Sequence, residues 1–322
     1  MSRFFWQKSM TISDSSALFD AFAHMLTVYR DPDDSKVLKI EKQQLLTEKG
    51  QAIFMRHLDP LLSSPKCDVF AVCRESKDKN WKKYALLSQK SPLLELYSDA
   101  SLRLHEEAAQ EGIALKVRHF STPLEKGYLF PFAYYGDLYQ MLENAEQLTE
   151  EAKQNIAEKL IELVASLHRI DIAHQDLKLE NILVDLTKEG ELRFYLHNFS
   201  RATKEETSTL VCGSEAYMPL DHMLMTVFRP KLRDAFSLGV ILFSLFTKKM
   251  WKDQKDPLLI EREKQPLLHP ISIQSEYRQI LLSHRDQIPS RMRPILEGFL
   301  NVHPFDRLSI ESAVSCLKKG AF

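Results

Sequence analysis

The stretch that decides the fold is His174-Gln175-Asp176-Leu177-Lys178-Leu179-Glu180-Asn181-Ile182-Leu183-Val184. It places an acid, a lysine and an amide at fixed spacing and continues into a run of aliphatic residues. Asp176 can accept a hydroxyl proton, Lys178 can meet a phosphate, and Asn181 can ligate a metal ion. This combination suits phosphoryl transfer.

The stretch resembles the catalytic loop of protein kinases, whose pattern is H-R-D-L-K-x-x-N. The resemblance implies that Asp176 is the catalytic base, that Lys178 neutralises charge on the transferred phosphate, and that Asn181 is a metal ligand. Each residue also has a structural alternative: a carboxylate held by local hydrogen bonds, a surface lysine and a loop-stabilising amide. Gln175 replaces an arginine that pairs in the family with a phosphate on the activation segment. A neutral amide cannot do this with comparable strength, so we do not expect activation through that pocket.

A second motif departs further from the family. Asn198-Phe199-Ser200 lies at the spacing of the D-F-G segment, whose aspartate holds the magnesium ions in kinases. The resemblance implies that Asn198 would ligate the metal ion and help bind the nucleotide cofactor. Compared with aspartate, Asn198 keeps a side-chain oxygen but loses the negative charge, and Mg²⁺ prefers carboxylates. We therefore expect a loss of several kcal/mol, to order of magnitude, in transition-state stabilisation. Phe199 is kept and is expected to pack with His174.

The glycine-rich phosphate loop of the family is missing. The matching region, Leu61 to Val72, contains no glycine and includes Pro65, which has no amide donor. The sequence therefore predicts no phosphate cradle of the kinase kind.

The strand lysine of the family is missing as well. The segment Tyr84-Ala85-Leu86-Leu87 corresponds best to V-A-I-K, which puts Leu87 at the position that points toward the phosphates. A lysine from a neighbouring position could substitute, or the lysines could gather around another anion. The candidates are Lys66, Lys82, Lys83 and Lys90.

The helix that carries the partner glutamate in kinases is predicted over Ser91 to Gln110. If Leu104 is its packing residue, the glutamate position falls on Ala100. Glu95, Glu106 and Glu107 are then better interpreted as a solvated helix face.

The large-lobe motifs are kept. Cys212 to Asp221 resembles the end of an activation segment, with Asp221 in place of a glutamate and able to pair with Arg307. Asp234 to Leu242 resembles the central buried helix, whose aspartate bonds the catalytic-loop backbone in the family. The resemblance covers residues 61 to 320.

Secondary structure is predicted from periodicity and capping. Strands are expected at 69–72 and 84–87 as a hairpin, and at 114–119 and 127–132. A helix is expected from Thr149 to Ile170, because Thr149 is a suitable N-cap followed by two glutamates. Helices are also expected at 13–30 and 36–62, where apolar residues recur at helical spacing. These form an extension that packs on the kinase-like body or, alternatively, docks a partner or dimerises.

Composition limits the function classes. The 322 residues are 44% hydrophobic and 27% charged, so a core can form. The net charge of -1 gives no general attraction to nucleic acid or anionic membranes. The four cysteines are scattered without a CxxC pair, which favours a reducing compartment over zinc or disulfides. No apolar run suits a signal peptide or a bilayer span, so a cytoplasmic location is expected.

Together these features predict an α+β, bilobal kinase-like fold with a helical extension at 1–60, an N-lobe at 61–133 and a C-lobe at 134–322. Fold-keeping residues survive while nucleotide-handling residues are lost, so the first interpretation is a pseudokinase that binds protein partners, with no cofactor expected. The alternative is an atypical Ser/Thr kinase or another ATP-dependent transferase that uses Asp176 and Asn181 with ATP, Mg²⁺ and a relocated lysine. The oligomeric state stays open.

Overall fold

The computed structural model describes strands between residues 44 and 89 and then residues 97–121, 126–131, 133, 135–145, 148–187, 189–267 and 269–319. The chain divides into two compact units. The first contains residues 1–98, 115–134 and 145–147, and the second contains residues 99–114, 135–144 and 148–322. Within the described residues, no helix is long and apolar enough to cross a membrane.

The first unit contains antiparallel strands. They are β1 Gln44–Thr47, β2 Gly50–Ile53, β3 Met55–Arg56, β4 Leu62–Ser63, β5 Cys67–Glu75, β6 Trp81–Gln89, β7 Arg118–Ser121 and β8 Lys126–Pro131. β1 and β2 form a hairpin, and the remaining six strands form one sheet in the order β3-β5-β6-β8-β7, with β4 also paired to β5. The predicted central hairpin is confirmed, and its strands pair over nine residues, from Cys67 with Gln89 to Glu75 with Trp81.

The helix expected at 36–62 is wrong where the structure describes this segment, because β1, β2, β3 and β4 occupy it. Short apolar runs do not distinguish a helix from a strand by periodicity alone. Cross-strand pairing of Gln44 with Ile53 and of Thr47 with Gly50 decides the outcome. The helix expected at 13–30 lies outside the described residues.

The second unit is mostly helical. Its helices are α1 Asp99–Gln110, α2 Leu138–Asn144, α3 Glu150–Arg169, α4 Asp221–Leu224, α5 Pro230–Thr247, α6 Pro257–Glu263, α7 Pro270–Ser283, α8 Arg293–Phe299 and α9 Ile310–Lys319. One strand pair, β9 Ile182–Leu186 and β10 Leu192–Leu196, follows the loop that ends at Asn181. A small sheet unit and a larger helical unit confirm the predicted α+β class.

Two helices fix the centre of the helical unit. α3 is the helix predicted from the capping pattern, and the Thr149 hydroxyl accepts a hydrogen bond from the Ala152 amide. α5 is apolar on nearly all sides and almost entirely buried against α3 and α8. Gly239 allows the close approach to α8, since a Cβ there would lie 2.9 Å from the Cβ of Phe299. Each fully buried Leu, Ile or Phe of α5 stabilises the fold by about 1.5–3 kcal/mol.

Several boundaries differ from the predictions. α1 begins at Asp99 rather than Ser91, with residues 91–96 outside the described part, and the next strand begins at Arg118 rather than Ala114. Ala114 instead makes a parallel bridge with Leu196. Residues 99–114, which include α1 and this bridge, belong to the helical unit. The domain boundaries at 60/61 and 133/134 stay predictions.

Candidate functional site

Asp234 organises the loop that runs from His174 to Asn181, and it does so from the buried centre of α5. Its carboxylate accepts hydrogen bonds from the backbone amides of His174 (2.7 Å) and Gln175 (2.8 Å). The imidazole of His168, at the end of α3, lies 3.0 Å from the same carboxylate. Gln175 has a φ of 62°, a left-handed conformation that this pair of bonds holds in place. The structural role predicted for Asp234 is confirmed.

The loop places Asp176 and Asn181 side by side. The Asn181 amide group donates to the Asp176 carbonyl oxygen at 2.7 Å and to the Oδ2 atom of Asp176 at 3.3 Å. The Ser214 hydroxyl donates to the other oxygen of Asp176 at 2.8 Å. The carboxylate is thus half-buried and oriented by two donors.

Asn198 lies next to Asn181 but offers it the wrong atom for a metal site. Its amide nitrogen is 3.5 Å from the Asn181 Oδ1 atom, and its own Oδ1 atom accepts from the Ser200 hydroxyl at 2.8 Å. Both oxygens that could ligate Mg²⁺ therefore face hydrogen-bond donors within the protein. The pair carries no charge, whereas Mg²⁺ is held mainly by carboxylates. These residues do not fit a magnesium ion.

Phe199 is buried between two histidines. The ring of His174 lies 5.1 Å from the Phe199 ring, and the ring of His105 on α1 lies 4.9 Å away, both in edge-to-face geometry. His105 is fully buried, whereas Leu104 is partly exposed. The prediction that Leu104 is the packing residue is therefore wrong by one position. The position of the family's partner glutamate, four residues before the packing residue, therefore falls on Ser101 rather than Ala100.

Two histidines at this centre, His174 and His197, have lowered pKa values. Burial lowers the pKa of His174 despite the nearby Asp234 carboxylate. Its Nδ1 atom lies 3.3 Å from the Asp176 amide and its Nε2 atom lies 2.9 Å from the His197 carbonyl, which assigns the proton to Nε2. Burial, together with the neighbouring His105 and His174, lowers the pKa of His197 to about 3. Because these rings are packed, they hold the loop that begins at His174 in one conformation.

The segment after Asn198 is held by Gln175 and Arg233. The Gln175 amide donates to the Arg201 carbonyl at 2.9 Å, and the Cys212 thiol lies 3.7 Å from the Gln175 Oε1 atom. Arg233, only 3% exposed, donates to the carbonyl oxygens of Leu210 (3.3 Å) and Cys212 (2.7 Å). Gln175 therefore bonds the backbone of the segment directly.

The remaining predicted site residues are Lys178, Leu87 and Lys66. Lys178 is half-buried, and its ammonium makes no hydrogen bond or ion pair within the part of the chain that the structure describes. Leu87 lies in β6 of the sheet unit, opposite Val69 on one side and Tyr128 on the other. Lys66 lies outside the described residues.

Comparison with known proteins agrees with this geometry. Residues 103–316, more than half of the chain, match the protein kinase domain family. This chain belongs to the protein kinase family. Its kinase fold, with a small β-rich N-lobe and a large helical C-lobe, is thereby established.

The curated relatives are kinases. The chain is 30% identical over 53% of its length to the mitosis inducer protein kinase cdr1 of Schizosaccharomyces pombe, covering 29% of that protein. It is 28% identical over 46% of its length to the serine/threonine-protein kinase SRK2F of Arabidopsis thaliana (43% covered), and 31% over 38% to testis-specific serine/threonine-protein kinase 2 of Mus musculus (35% covered). The matched part of the chain spans less than half the length of these relatives.

Three contributors to this kinase site were not found from the sequence. The sequence indicates Ser214 only as part of the activation-segment resemblance and Ser200 only as the residue that replaces a glycine. A hydroxyl two residues after Asn198 was the available signal for Ser200, because such a side chain can bond back to its neighbour. No sequence pattern indicated Arg233.

Proposed function

We propose that this kinase domain is a pseudokinase: it keeps the fold, has lost ordinary phosphoryl transfer, and acts by binding other proteins. The observation that carries the proposal is the engagement of both candidate metal oxygens, those of Asn181 and Asn198, by protein hydrogen-bond donors. A site that cannot hold Mg²⁺ loses the charge that stabilises the transferred phosphoryl group.

The pattern of kept and lost residues supports the proposal. Residues that hold the fold, such as Asp234 and Phe199, are buried and bonded as the fold requires. Residues that handle nucleotide are replaced: the strand lysine by Leu87 and the metal aspartate by Asn198. Because such losses compound on the activation barrier, ordinary catalysis is not expected to survive them.

A protein-binding role agrees with the surface of the activation segment. Leu210 and Val211 are consecutive, and their side chains are 56% and 53% exposed. Arg233 fixes the carbonyl of Leu210, so these apolar side chains are presented on an ordered segment. A protein partner is the class of molecule that would cover them.

One observation favours a second candidate, an atypical Ser/Thr protein kinase. Asp176 keeps the orientation of a base, with Ser214 and Asn181 on its two oxygens. Two of the three relatives named above are serine/threonine kinases by name. A transferase of this kind would need a lysine from elsewhere in the chain to replace Leu87.

The test is label transfer from γ-labelled ATP, combined with thermal stability during ATP titration with and without Mg²⁺ or Mn²⁺. Wild type is compared with Asp176→Ala and with Asp286→Ala, which removes an exposed carboxylate elsewhere in the helical unit. We expect no metal-dependent stabilisation by ATP, since a ligand that binds the native state must stabilise it. We also expect equal background labelling in all three proteins.

Label incorporation that Asp176→Ala abolishes and Asp286→Ala preserves would replace the proposal with the active-kinase candidate. Saturable stabilisation by ATP without label transfer would keep the pseudokinase proposal and add nucleotide as a ligand.

A further inference from the structure

We infer that Ser200, Asn198, Asn181 and Asp176 form a continuous hydrogen-bond chain that replaces a divalent cation, so that this site binds neither Mg²⁺ nor Mn²⁺. The inference rests on the proposed function in that it concerns the same side chains. It goes further by assigning a joint role to Asn198 and Ser200, the two residues that depart from the D-F-G pattern.

The direction of each amide follows from its partners. The Asn181 nitrogen faces two acceptors, the carbonyl and the Oδ2 atom of Asp176, at 2.7 and 3.3 Å. Its Oδ1 atom must therefore point the other way, toward Asn198. An oxygen of Asn198 facing that atom would be repelled, so Asn198 turns its nitrogen to Asn181, at 3.5 Å, and its oxygen to Ser200, at 2.8 Å.

Ser200 completes the chain. Its hydroxyl donates to the oxygen of Asn198, which gives that oxygen a partner in the absence of any cation. A glycine here could not do this. The replacements at positions 198 and 200 are thus a matched pair, because the first removes the charge and the second satisfies the amide that remains.

A cation cannot enter without undoing these bonds. Mg²⁺ requires oxygens on near-octahedral positions, and Asn198 presents an N–H group toward Asn181 instead. Asp176, the carboxylate of the chain, already accepts from Asn181 and from Ser214. No group of three or more His, Cys, Asp or Glu side chains suited to a metal occurs among the described residues.

The backbone permits a clean test. Asn198 has a φ of 64° and a ψ of 65°, a left-handed conformation that asparagine and aspartate both tolerate. Asn198→Asp therefore changes the charge without straining the chain. Ser200 is exposed, so Ser200→Gly removes the hydroxyl without leaving a cavity.

The experiment measures Mn²⁺ binding to the full chain without nucleotide, by the paramagnetic resonance signal of free Mn²⁺. Five proteins are compared: wild type, Asn198→Asp, Asn198→Ala, the double variant Asn198→Asp/Ser200→Gly, and Gln279→Glu. Gln279→Glu adds a carboxylate to the exposed face of α7 and controls for charge alone.

Wild type and Gln279→Glu are expected to show no saturable site. The double variant is expected to gain one site, at least about tenfold tighter than any wild-type binding, since changes at metal ligands and their partners typically alter affinity by about 10–100-fold. Asn198→Asp alone is expected to melt at a lower temperature than wild type without metal and to recover with Mn²⁺, because its carboxylate faces the oxygen of Asn181.

Two results would overturn the inference: a wild-type Mn²⁺ site that is lost in Asn198→Ala, or a folded double variant that gains no site. The wild-type measurement keeps the test decisive if the double variant does not fold. Label transfer that depends on Asp176, found together with a wild type that binds no Mn²⁺, would overturn the proposed function and leave this inference standing.

Discussion

The guanidinium of Arg307 meets the carboxylate of Asp221 through two hydrogen bonds, Nη1 to Oδ2 at 3.0 Å and Nη2 to Oδ1 at 2.7 Å, and both side chains are fully buried. The pair joins the end of the activation segment to the loop before α9. Removing one partner leaves an uncompensated buried charge. We therefore expect Asp221→Ala to lower the free energy of unfolding by about 3–5 kcal/mol, measured by urea denaturation.

Asp221→Glu is the control for this pair. It keeps the charge and the capacity for two hydrogen bonds, so its loss should be clearly smaller than that of Asp221→Ala. Equal losses for the two variants would show that shape, rather than charge pairing, holds this contact.

The second prediction concerns Arg233, which holds the activation segment in place. Its guanidinium binds the carbonyls of Leu210 and Cys212 and lies 4.4 Å from the centre of the Phe228 ring. Arg233→Met keeps much of the volume and removes the donors. Hydrogen bonds to charged groups are worth about 1.5–3 kcal/mol each, so we expect faster amide hydrogen exchange over residues 203–218.

Arg278→Met, which removes an exposed arginine paired with Glu297, is the matched control and should leave exchange in this segment unchanged. Unchanged exchange in Arg233→Met would show that Gln175 alone holds the segment.

The contact between His168 and Glu311 predicts a pH dependence with two limits. Glu311 lies 3.7 Å from the His168 imidazole, which lowers the pKa of the Glu311 carboxyl to about 2. Its stabilising contribution is present above the ordinary carboxyl pKa and is lost as the pH falls toward about 2. Burial disfavours the charged form of His168, but Asp234 and Glu311 outweigh it and raise the pKa of His168. That contribution is present below the unfolded histidine pKa and is lost as the pH rises through the raised value.

The expected result is a maximum of this contact's stabilisation between about pH 4.5 and 6.5, the two unfolded-state pKa values. Because the Glu311 side chain is half exposed, its contribution to the free energy of unfolding should not exceed about 1 kcal/mol. Glu311→Gln should flatten the acid side of the profile, measured as denaturation midpoint against pH. The exposed carboxylate variant Glu261→Gln serves as its control. A Glu311→Gln profile parallel to wild type would contradict the assignment.

The family motifs and the locally capped helix were predictable from the sequence. The catalytic-loop motif, the Asp234 contact and the Arg307–Asp221 pair follow from the resemblance to protein kinases, since the residues of the two contacts lie 60 and 86 positions apart in the chain. The helix from Thr149 was predictable from local geometry, since its cap and acidic first turn act within four residues.

Features set by three-dimensional packing were not predictable. β1 and β2 form because they pair with each other, and β3 forms because it pairs with β5; no pattern in the sequence indicates these partners. The bond from Ser200 to Asn198 depends on the direction of two side chains in a turn. The apolar residues of α1 pointed to Leu104, whereas the buried face of the helix carries Ser101, His105, Ala108 and Ala109, and His105 meets Phe199.

That last residue, His105, carries the final prediction. Its ring packs on Phe199 from α1 and is fully buried in the helical unit. His105→Ala should create a cavity and lower the free energy of unfolding by about 2–5 kcal/mol, the range for large buried side chains. Leu104→Ala, one position earlier and partly exposed, is the matched control and should cost clearly less. His105→Leu should keep most of the stability, because it refills the space with an apolar side chain. The two alanine variants are compared by urea denaturation. A larger loss for Leu104→Ala than for His105→Ala would show that Leu104 packs on Phe199, as expected from the sequence. The assignment of His105 would then be wrong.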